Sequence, residues 1–242
     1  MTAGITDSLA YWAMLLVPCF FWGAYHYYKD RKKPEPILML VLAIVLGYLS
    51  AHLGIFMYLA LQAAGIDHNP FIMAQYNLSG LFWYCILVIG PIEELAKFLP
   101  FVFILARSRH FDEELDGIIY AAFIALGFAL NENRFYLSML EGGQAVARSL
   151  ISPIIHALFA SVWGYAYGFS GRFKIPHWLT ITLGLLLAMF LHGIYDFYAF
   201  SISIYGALYP PLIVLLIWIW RMYTIRRHTD SLVQVEGKED SQ

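Results

Sequence analysis

Long apolar segments, each separated from the next by a short polar stretch, occupy most of this chain. A helix that crosses the hydrocarbon core of a bilayer needs about 20 mostly apolar residues, and seven segments meet that requirement. The pattern therefore predicts an all-α, polytopic bundle of about seven transmembrane helices. The predicted spans are Leu9–Tyr28, Ile37–Ala64, Leu78–Ala106, Gly117–Leu140, Ser149–Ser170, Trp178–Phe200 and Ser203–Tyr223.

The composition indicates a membrane protein made of one helical domain. Of the 242 residues, 60% are hydrophobic and only 13% are charged, which is typical of a chain that crosses a membrane several times. The first segment has neither the basic leader nor the small-residue cleavage site of a signal peptide, so we interpret it as a permanent helix. We expect one transmembrane domain over residues 1–228 and a short polar cytoplasmic tail over residues 229–242.

The positions of the lysine and arginine residues predict the orientation of the helices. Basic residues follow the first, third, fifth and seventh segments, whereas the opposite loops contain only Arg148. Basic loops lie preferentially in the cytoplasm, so the N-terminus is predicted outside and the C-terminus in the cytoplasm. Since the basic residues form no single face, we expect no nucleic-acid partner. The cytoplasmic set is Lys29, Arg31, Lys32, Lys33, Arg107, Arg109, Arg172, Lys174, Arg221, Arg226, Arg227 and Lys238.

Six of the ionisable side chains within the predicted spans, where charge is costly, are candidate site residues. One charged group at the bilayer centre costs about 2.5–3.5 kcal/mol on insertion scales. The six are Glu93, Glu94, Glu132, His156, His192 and Asp196. At about 1.5 Å per helical residue, the last four lie roughly 6–18 Å below the outer membrane boundary, and the adjacent glutamates lie near the midplane. Four helices thus bring polar side chains to one layer, which favours an active site.

The third segment carries the paired glutamates between two prolines. Neighbouring residues on a helix point about 100° apart, so Glu93 and Glu94 are expected to have different roles. Glu93 and Lys97 are four residues apart and share a face, which allows an ion pair that would lower the cost of burial. Pro91 and Pro100 interrupt the helix hydrogen bonds, and such a backbone is tolerated at membrane depth where it lines a cavity. The alternative is a structural salt bridge that joins helices.

The fourth and fifth segments each contribute one candidate. Glu132 lies between two asparagines, and three polar residues in a row must be enclosed by neighbouring helices, so Glu132 is predicted to point inward. Its alternative role is an ion pair with Arg134 or Lys97. His156 is the isolated histidine of the fifth segment, and such a histidine is more often a hydrogen-bonded core residue than a ligand.

The sixth segment carries a histidine and an aspartate four residues apart. His192 and Asp196 share a helix face, so both can reach one ion, or Asp196 can orient the imidazole by accepting its second N–H. Gly193 leaves room for the close approach of another helix. The alternative is a hydrogen bond that only packs helices. Imidazole and carboxylate ligands without thiolate suit zinc or a similar divalent ion, with one carboxylate left as general base toward water.

These motifs, in this order, resemble the PrsW family of intramembrane proteases. The chain has Glu-Glu-x-x-Lys, then Asp-Gly-Ile-Ile-Tyr at residues 116–120, Phe-Ala-x-x-Glu-Asn at residues 128–133, an isolated histidine and His-x-x-x-Asp. The resemblance covers residues 90–200. The family is related in motif layout to the CAAX prenyl endopeptidases and resembles the scaffold subunit of gamma-secretase. It implies hydrolysis of a peptide bond in a membrane-anchored protein, such as the first cut of an anti-sigma factor, in a bacterial or archaeal plasma membrane.

The resemblance also implies roles for the candidate residues. A divalent metal, zinc as first choice, is held by His156, His192 and a carboxylate, with Glu132 as first choice and Asp196 as fourth ligand or supporting group. Either member of the Glu93/Glu94 pair is then the general base, and Lys97 balances charge or stabilises the oxyanion. A metal-free alternative uses the same residues, with Glu93 activating water and the histidines polarising the carbonyl.

Depth predicts where a substrate is cut. Aromatic residues near the outer ends of three segments indicate an interfacial belt just above the polar layer; they are Phe82, Trp83, Tyr84, Phe135, Tyr136, Tyr195, Phe197 and Tyr198. Water reaches this level from outside, so cleavage is expected near the outer membrane face.

Two other classes of protein place ionisable residues in a membrane. A proton- or ion-coupled transporter usually contains a repeat between its halves, and none is visible here. A non-catalytic scaffold subunit would have lost some motif residues, and all are present here.

Overall fold

A computed structural model describes residues 9–66, 68–201 and 204–239, and the side chains described in the last helix are those of residues 208–231. The described part of the chain is helical and contains no β-strand, which confirms the all-α prediction. Its helices are α1 (Leu9–Lys29), α2 (Ile37–Ala63), α3 (Pro70–Tyr76), α4 (Leu78–Tyr84), α5 (Gly90–Phe103), α6 (Asp116–Tyr136), α7 (Gly142–Gly168), α8 (His177–Phe200) and α9 (Ile204–Glu239).

Four of these helices are long and apolar enough to cross a membrane by length and composition. They are α2, α7, α8 and the Leu208–Ser231 part of α9. The helix α6 differs because it carries Asp116, Glu132 and Arg134. It packs against α1, α2, α5 and α7 in the centre of the bundle, and every residue from Asp116 to Ala129 is buried. Neighbouring helices, rather than lipid, therefore surround this less apolar helix.

The third predicted span is one continuous helical path with a wide turn in its middle. The helix α4 passes through a π-helical turn, Cys85–Ile89, directly into α5. Pro91 has no N–H to donate to this preceding turn, which favours a local departure from α-helical hydrogen bonding. The turn ends about one helical turn before Glu93, so it precedes the stretch of α5 that carries both glutamates.

Glycines let the site-bearing helices touch through their backbones. A Cβ atom added at Gly90 of α5 would lie 2.2 Å from the carbonyl oxygen of Met189 on α8, and one at Gly193 would lie 2.5 Å from that of Cys85. Any larger residue there would force the helices apart. The predicted close approach at Gly193 is confirmed, and it brings the Glu93 and His192 regions together.

The opposite end of α6 is closed by a second group of buried polar residues. Asp116 accepts hydrogen bonds from the backbone N–H groups of Asp112 and Glu113, both at 2.8 Å. Tyr120 donates to the carboxyl group of Glu35, in the loop between α1 and α2. Burial raises the pKa of Glu35 above its usual range, which favours the neutral form of this carboxyl group.

The predicted polar tail begins as a helix. The helix α9 continues without a break through residue 229 to Glu239, and the last three residues of the chain, 240–242, lie outside the described part. Glutamate, lysine and glutamine, which contribute to the polarity of this segment, also have high helix propensity.

Candidate active site

Four helices bring the predicted polar residues into one cluster. Helices α5, α6, α7 and α8 supply them, and a cavity of about 830 Å³ opens onto five of the side chains. Those five are Glu93, Glu132, His156, His192 and Asp196. The side chains of Glu94 and Lys97 are fully buried behind them.

Glu94 is held by three hydrogen-bond donors. Lys97 Nζ lies 2.6 Å from Glu94 Oε1, and Trp163 Nε1 donates to Oε2 at 2.8 Å. The Nδ1 atom of His192 lies 2.7 Å from Oε1. Because a carboxylate only accepts hydrogen bonds, Nδ1 carries the proton and the Nε2 lone pair of a neutral His192 faces the other way. The ion pair that the spacing allows between Glu93 and Lys97 does not form, since Lys97 pairs with Glu94.

Glu93 points toward both histidines. Its Oε2 atom is buried without a hydrogen-bond partner in the part of the chain that the structure describes. This oxygen lies 3.6 Å from His192 Nε2 and 3.9 Å from His156 Nδ1. One ligand atom from each of Glu93, His156 and His192 therefore falls within 4.8 Å of the others.

His156 is held on its other side by Glu132. The His156 Nε2 atom lies 2.7 Å from Glu132 Oε2, and Glu132 Oε1 lies 2.9 Å from the guanidinium of Arg148. Glu132 does point inward, but its cationic partner is not Arg134 or Lys97, as the alternative held. Arg134 instead donates to the hydroxyl of Tyr48 at 2.7 Å.

Asp196 lies at the edge of the cluster. Its Oδ2 atom is 3.6 Å from His192 Nε2, beyond hydrogen-bond distance. Asp196 therefore does not orient the His192 ring, as one interpretation of the spacing held. The imidazole donates its Nδ1–H to Glu94 instead. Asp196 therefore faces the cavity on the same side of the imidazole as Glu93.

Two residues of the cluster could not be identified as site residues from the motifs. Trp163 is fully buried and donates to Glu94. It follows His156 by seven residues, close to two helical turns, so the two side chains share a face of α7; that spacing is the signal that could have found it. Arg148 belongs to none of the motifs and bears on the sequence analysis only through topology, although it contacts Glu132.

The residues present fit a divalent metal ion. The donor set is two imidazoles and one carboxylate, which suits zinc, and the buried Glu93 oxygen lacks any other partner. The remaining nitrogen of each histidine faces a carboxylate at 2.7 Å, an arrangement that commonly orients metal-binding histidines. Lys97 Nζ lies 3.1 Å from His156 Nδ1, so this ammonium group competes with an ion for that nitrogen.

Comparison with known proteins identifies the family to which the sequence is similar. Residues 35–224 match the model of a family described as PrsW family intramembrane metalloprotease. The protein named Protease PrsW from Oceanobacillus iheyensis is 31% identical over 233 residues, which cover 96% of this chain and 97% of that protein. Protease PrsW from Bacillus subtilis is 29% identical over 215 residues, covering 88% and 93%. The one from Clostridioides difficile is 34% identical over 176 residues, covering 70% of each.

No solved structure matches this chain significantly, so the comparison rests on sequence. The family match spans the helices that carry the clustered glutamates and histidines, and the relatives named above are bacterial proteases. The chain thus belongs to the PrsW family of intramembrane proteases.

Proposed function

We propose that this protein hydrolyses a peptide bond in a membrane-anchored protein near the outer membrane face, with a divalent metal ion, zinc as first choice, held by Glu93, His156 and His192. The observation that carries the proposal is the buried, unpartnered Glu93 oxygen directed at both imidazoles. A carboxylate oxygen in that position without a cation is costly. When bound, such an ion supplies Lewis acidity, which makes water nucleophilic at neutral pH and polarises the peptide carbonyl.

Glu94 and Lys97 act behind the reacting groups. Three donors occupy the Glu94 carboxylate, and neither residue lines the cavity. Glu94 is therefore poorly placed to take a proton from water. Instead, Glu94 fixes the orientation of the His192 ring, while Lys97 balances the negative charge of Glu94 within the bundle.

Asp196 is the best-placed general base. Among the described residues, three carboxylates line the cavity. Glu132 pairs with Arg148 and His156, and Glu93 belongs to the proposed metal set, so Asp196 is the one that remains for proton transfer. It takes the proton of the water whose oxygen attacks the carbonyl carbon, and then gives this proton to the amine nitrogen as the C–N bond breaks. Glu132 positions His156 by accepting a hydrogen bond from its second nitrogen.

The proposed topology has seven spans with the N-terminus outside. The supporting observation is the distribution of basic residues, which leaves Arg148 as the only lysine or arginine of the predicted outer loops. Glu132 and Arg148 then lie toward the outer end of the bundle, where water can enter the cavity. An anti-sigma factor as substrate remains a prediction from the family resemblance.

The test combines metal content with proteolysis. The full-length protein is purified, its zinc is measured by elemental mass spectrometry, and cleavage of a single-span membrane protein is followed in proteoliposomes. Glu93→Gln and His192→Ala are each expected to lower bound zinc at least tenfold and to abolish cleavage, because each removes one ligand. The matched control is His52→Ala, since His52 lines the same cavity from α2 but is outside the metal set.

The outcomes separate the parts of the proposal. Full zinc content in Glu93→Gln would contradict the ligand set. Full cleavage by protein that has been stripped of metal with a chelator would contradict metal dependence and support the glutamate mechanism. Loss of zinc and cleavage in His52→Ala as well would mean that the measurement reports damage to the cavity in general.

A further inference from the structure

A second cavity, of about 300 Å³, lies far from the active-site cavity. Its walls come from the end of α7, the turn that follows α7, and the middle of α9. The lining residues are Tyr165, Phe169, Arg172, Trp220, Tyr223, Thr224, Arg227 and His228. Arg172 binds Glu114, just before the start of α6, whereas Glu132 lies near the other end of that helix. Sixteen residues of α6, or roughly 24 Å, separate Asp116 from Glu132.

The polar part of this lining is rich in hydrogen-bond donors. Arg172 binds Glu114 at 2.5 Å and lies over the ring of Phe169. Arg227 is exposed, and within the described residues no hydrogen bond or ion pair involves its guanidinium. His228 is buried, yet both ring nitrogens lack a hydrogen-bond partner among the described residues. Its nearest carboxylate oxygens, on Glu114 and Glu113, are 3.5 Å and 3.9 Å away.

The rest of the lining is aromatic and adjoins a lipid-facing surface. Tyr165 packs against Phe169 and Trp220, which gives one side of the cavity an apolar wall. Leu216, Ile219 and Tyr223 on α9 are all more than half exposed. Aromatic residues beside arginines are typical of a membrane–water interface. The cavity therefore lies where α9 leaves the apolar region, with donors on one side and apolar surface on the other.

We propose that this cavity binds the phosphate group of an anionic phospholipid such as phosphatidylglycerol. Guanidinium groups form strong, charge-assisted hydrogen bonds with phosphate oxygens, and Arg172 and Arg227 line the cavity from two different segments. His228 adds a buried nitrogen donor without a partner. The adjoining apolar surface accommodates the glycerol and the first acyl carbons, which a free phosphate ion does not have. Basic residues at the cytoplasmic surface attract anionic lipids, in agreement with the proposed topology.

The matched pair Arg227→Gln and Arg226→Gln tests this site. The two arginines are neighbours on α9, so each substitution removes one positive charge at nearly the same depth. Arg226 does not line the cavity, and its side chain is 84% exposed, 3.9 Å from Asp230. The delipidated full-length protein is titrated with phosphatidylglycerol, and bound lipid is counted by native mass spectrometry. We expect Arg227→Gln to weaken binding about tenfold, whereas Arg226→Gln binds like the unchanged protein.

Three further arms complete the test. Arg172→Gln is expected to weaken lipid binding as Arg227→Gln does, and thermal unfolding shows whether each variant is folded. Phosphatidylcholine, which has the same phosphodiester but no net charge, is expected to bind at least tenfold more weakly. Equal binding by Arg227→Gln and Arg226→Gln would overturn the proposal, as would equal binding of the two lipids. Displacement of the lipid by millimolar inorganic phosphate would indicate a site for free phosphate and would overturn the lipid assignment.

Discussion

At the residue scale, the adjacent glutamates have different environments. Glu94 is satisfied by Lys97, Trp163 and His192, whereas Glu93 has a buried oxygen without a partner. Helix geometry alone predicts that neighbours diverge. It does not predict which glutamate takes Lys97, because residues three and four apart are both within reach. That choice depends on Trp163 and His192, which come from other helices.

Arg148 is expected to act on the metal site through Glu132 and His156. It lies 2.9 Å from Glu132, which lies 2.7 Å from His156 Nε2. Replacing Arg148 with glutamine leaves Glu132 free to turn away, so His156 loses its fixed orientation. Changes to such supporting groups typically weaken metal affinity 10–100-fold, and we expect a loss in that range. Competition with a chromophoric zinc chelator measures it.

The control for Arg148→Gln is Arg134→Gln. Arg134 also lines the cavity, but it donates to Tyr48 and not to Glu132. Its replacement should leave zinc affinity within about twofold of the unchanged protein. If both variants weakened zinc binding equally, the effect would come from the loss of positive charge near the cavity and not from the support of His156.

At the element scale, contact between helix backbones determines the geometry of the site. The sequence predicted the close approach at Gly193 because a glycine lay between a histidine and an aspartate on one helix. It did not predict the partner of Gly193, which is the π-helical turn at Cys85–Ile89. A wide turn depends on how α4 and α5 pack against α8, and no local residue pattern distinguishes it from an ordinary turn beside a proline.

Gly193→Ala is expected to separate α8 from the π-helical turn. The added Cβ would lie 2.5 Å from the Cys85 carbonyl oxygen, an atom of the backbone that cannot rotate away. Overpacking of this kind usually lowers the free energy of unfolding by about 1–3 kcal/mol, and it moves His192 away from Glu93. We therefore expect a lower unfolding temperature together with weaker zinc binding, measured by thermal denaturation and zinc titration.

Gly143→Ala is the matched control for that change. A Cβ atom at Gly143, near the start of α7, has no neighbour within 4 Å, so stability and zinc binding should be unchanged. Normal zinc affinity in Gly193→Ala would contradict the view that this backbone contact positions His192.

At the scale of the whole molecule, the depth of polar residues was the most informative signal in the sequence. Counting along the predicted helices placed Glu132, His156, His192 and Asp196 in one layer, and all four of these side chains line one cavity together with Glu93. The cluster could be predicted because helix rise is regular. The set of metal ligands could not be predicted, because side chains of one layer can pair in several ways and the distances between helices decide among them.

The position of the cut in a substrate tests the central claim of this account most directly. The enzyme and a single-span substrate are reconstituted in vesicles, and impermeant cysteine labels establish the enzyme's orientation. Asp67 lies in a predicted outer loop but outside the described residues, so a cysteine at position 69 carries the outer label and one at position 112 the inner label. The native cysteines, Cys19 and Cys85, are buried and should not react.

The new terminus of the cleaved substrate is then identified by mass spectrometry. Because the proposed topology puts the cavity lined by the proposed metal set and Asp196 near the outer face, the account predicts a terminus at the outer end of the substrate's transmembrane segment or a few residues beyond it. Unwinding a helix is also less costly near its end, where backbone groups can bind water. A terminus in the cytoplasmic half of that segment would contradict the account.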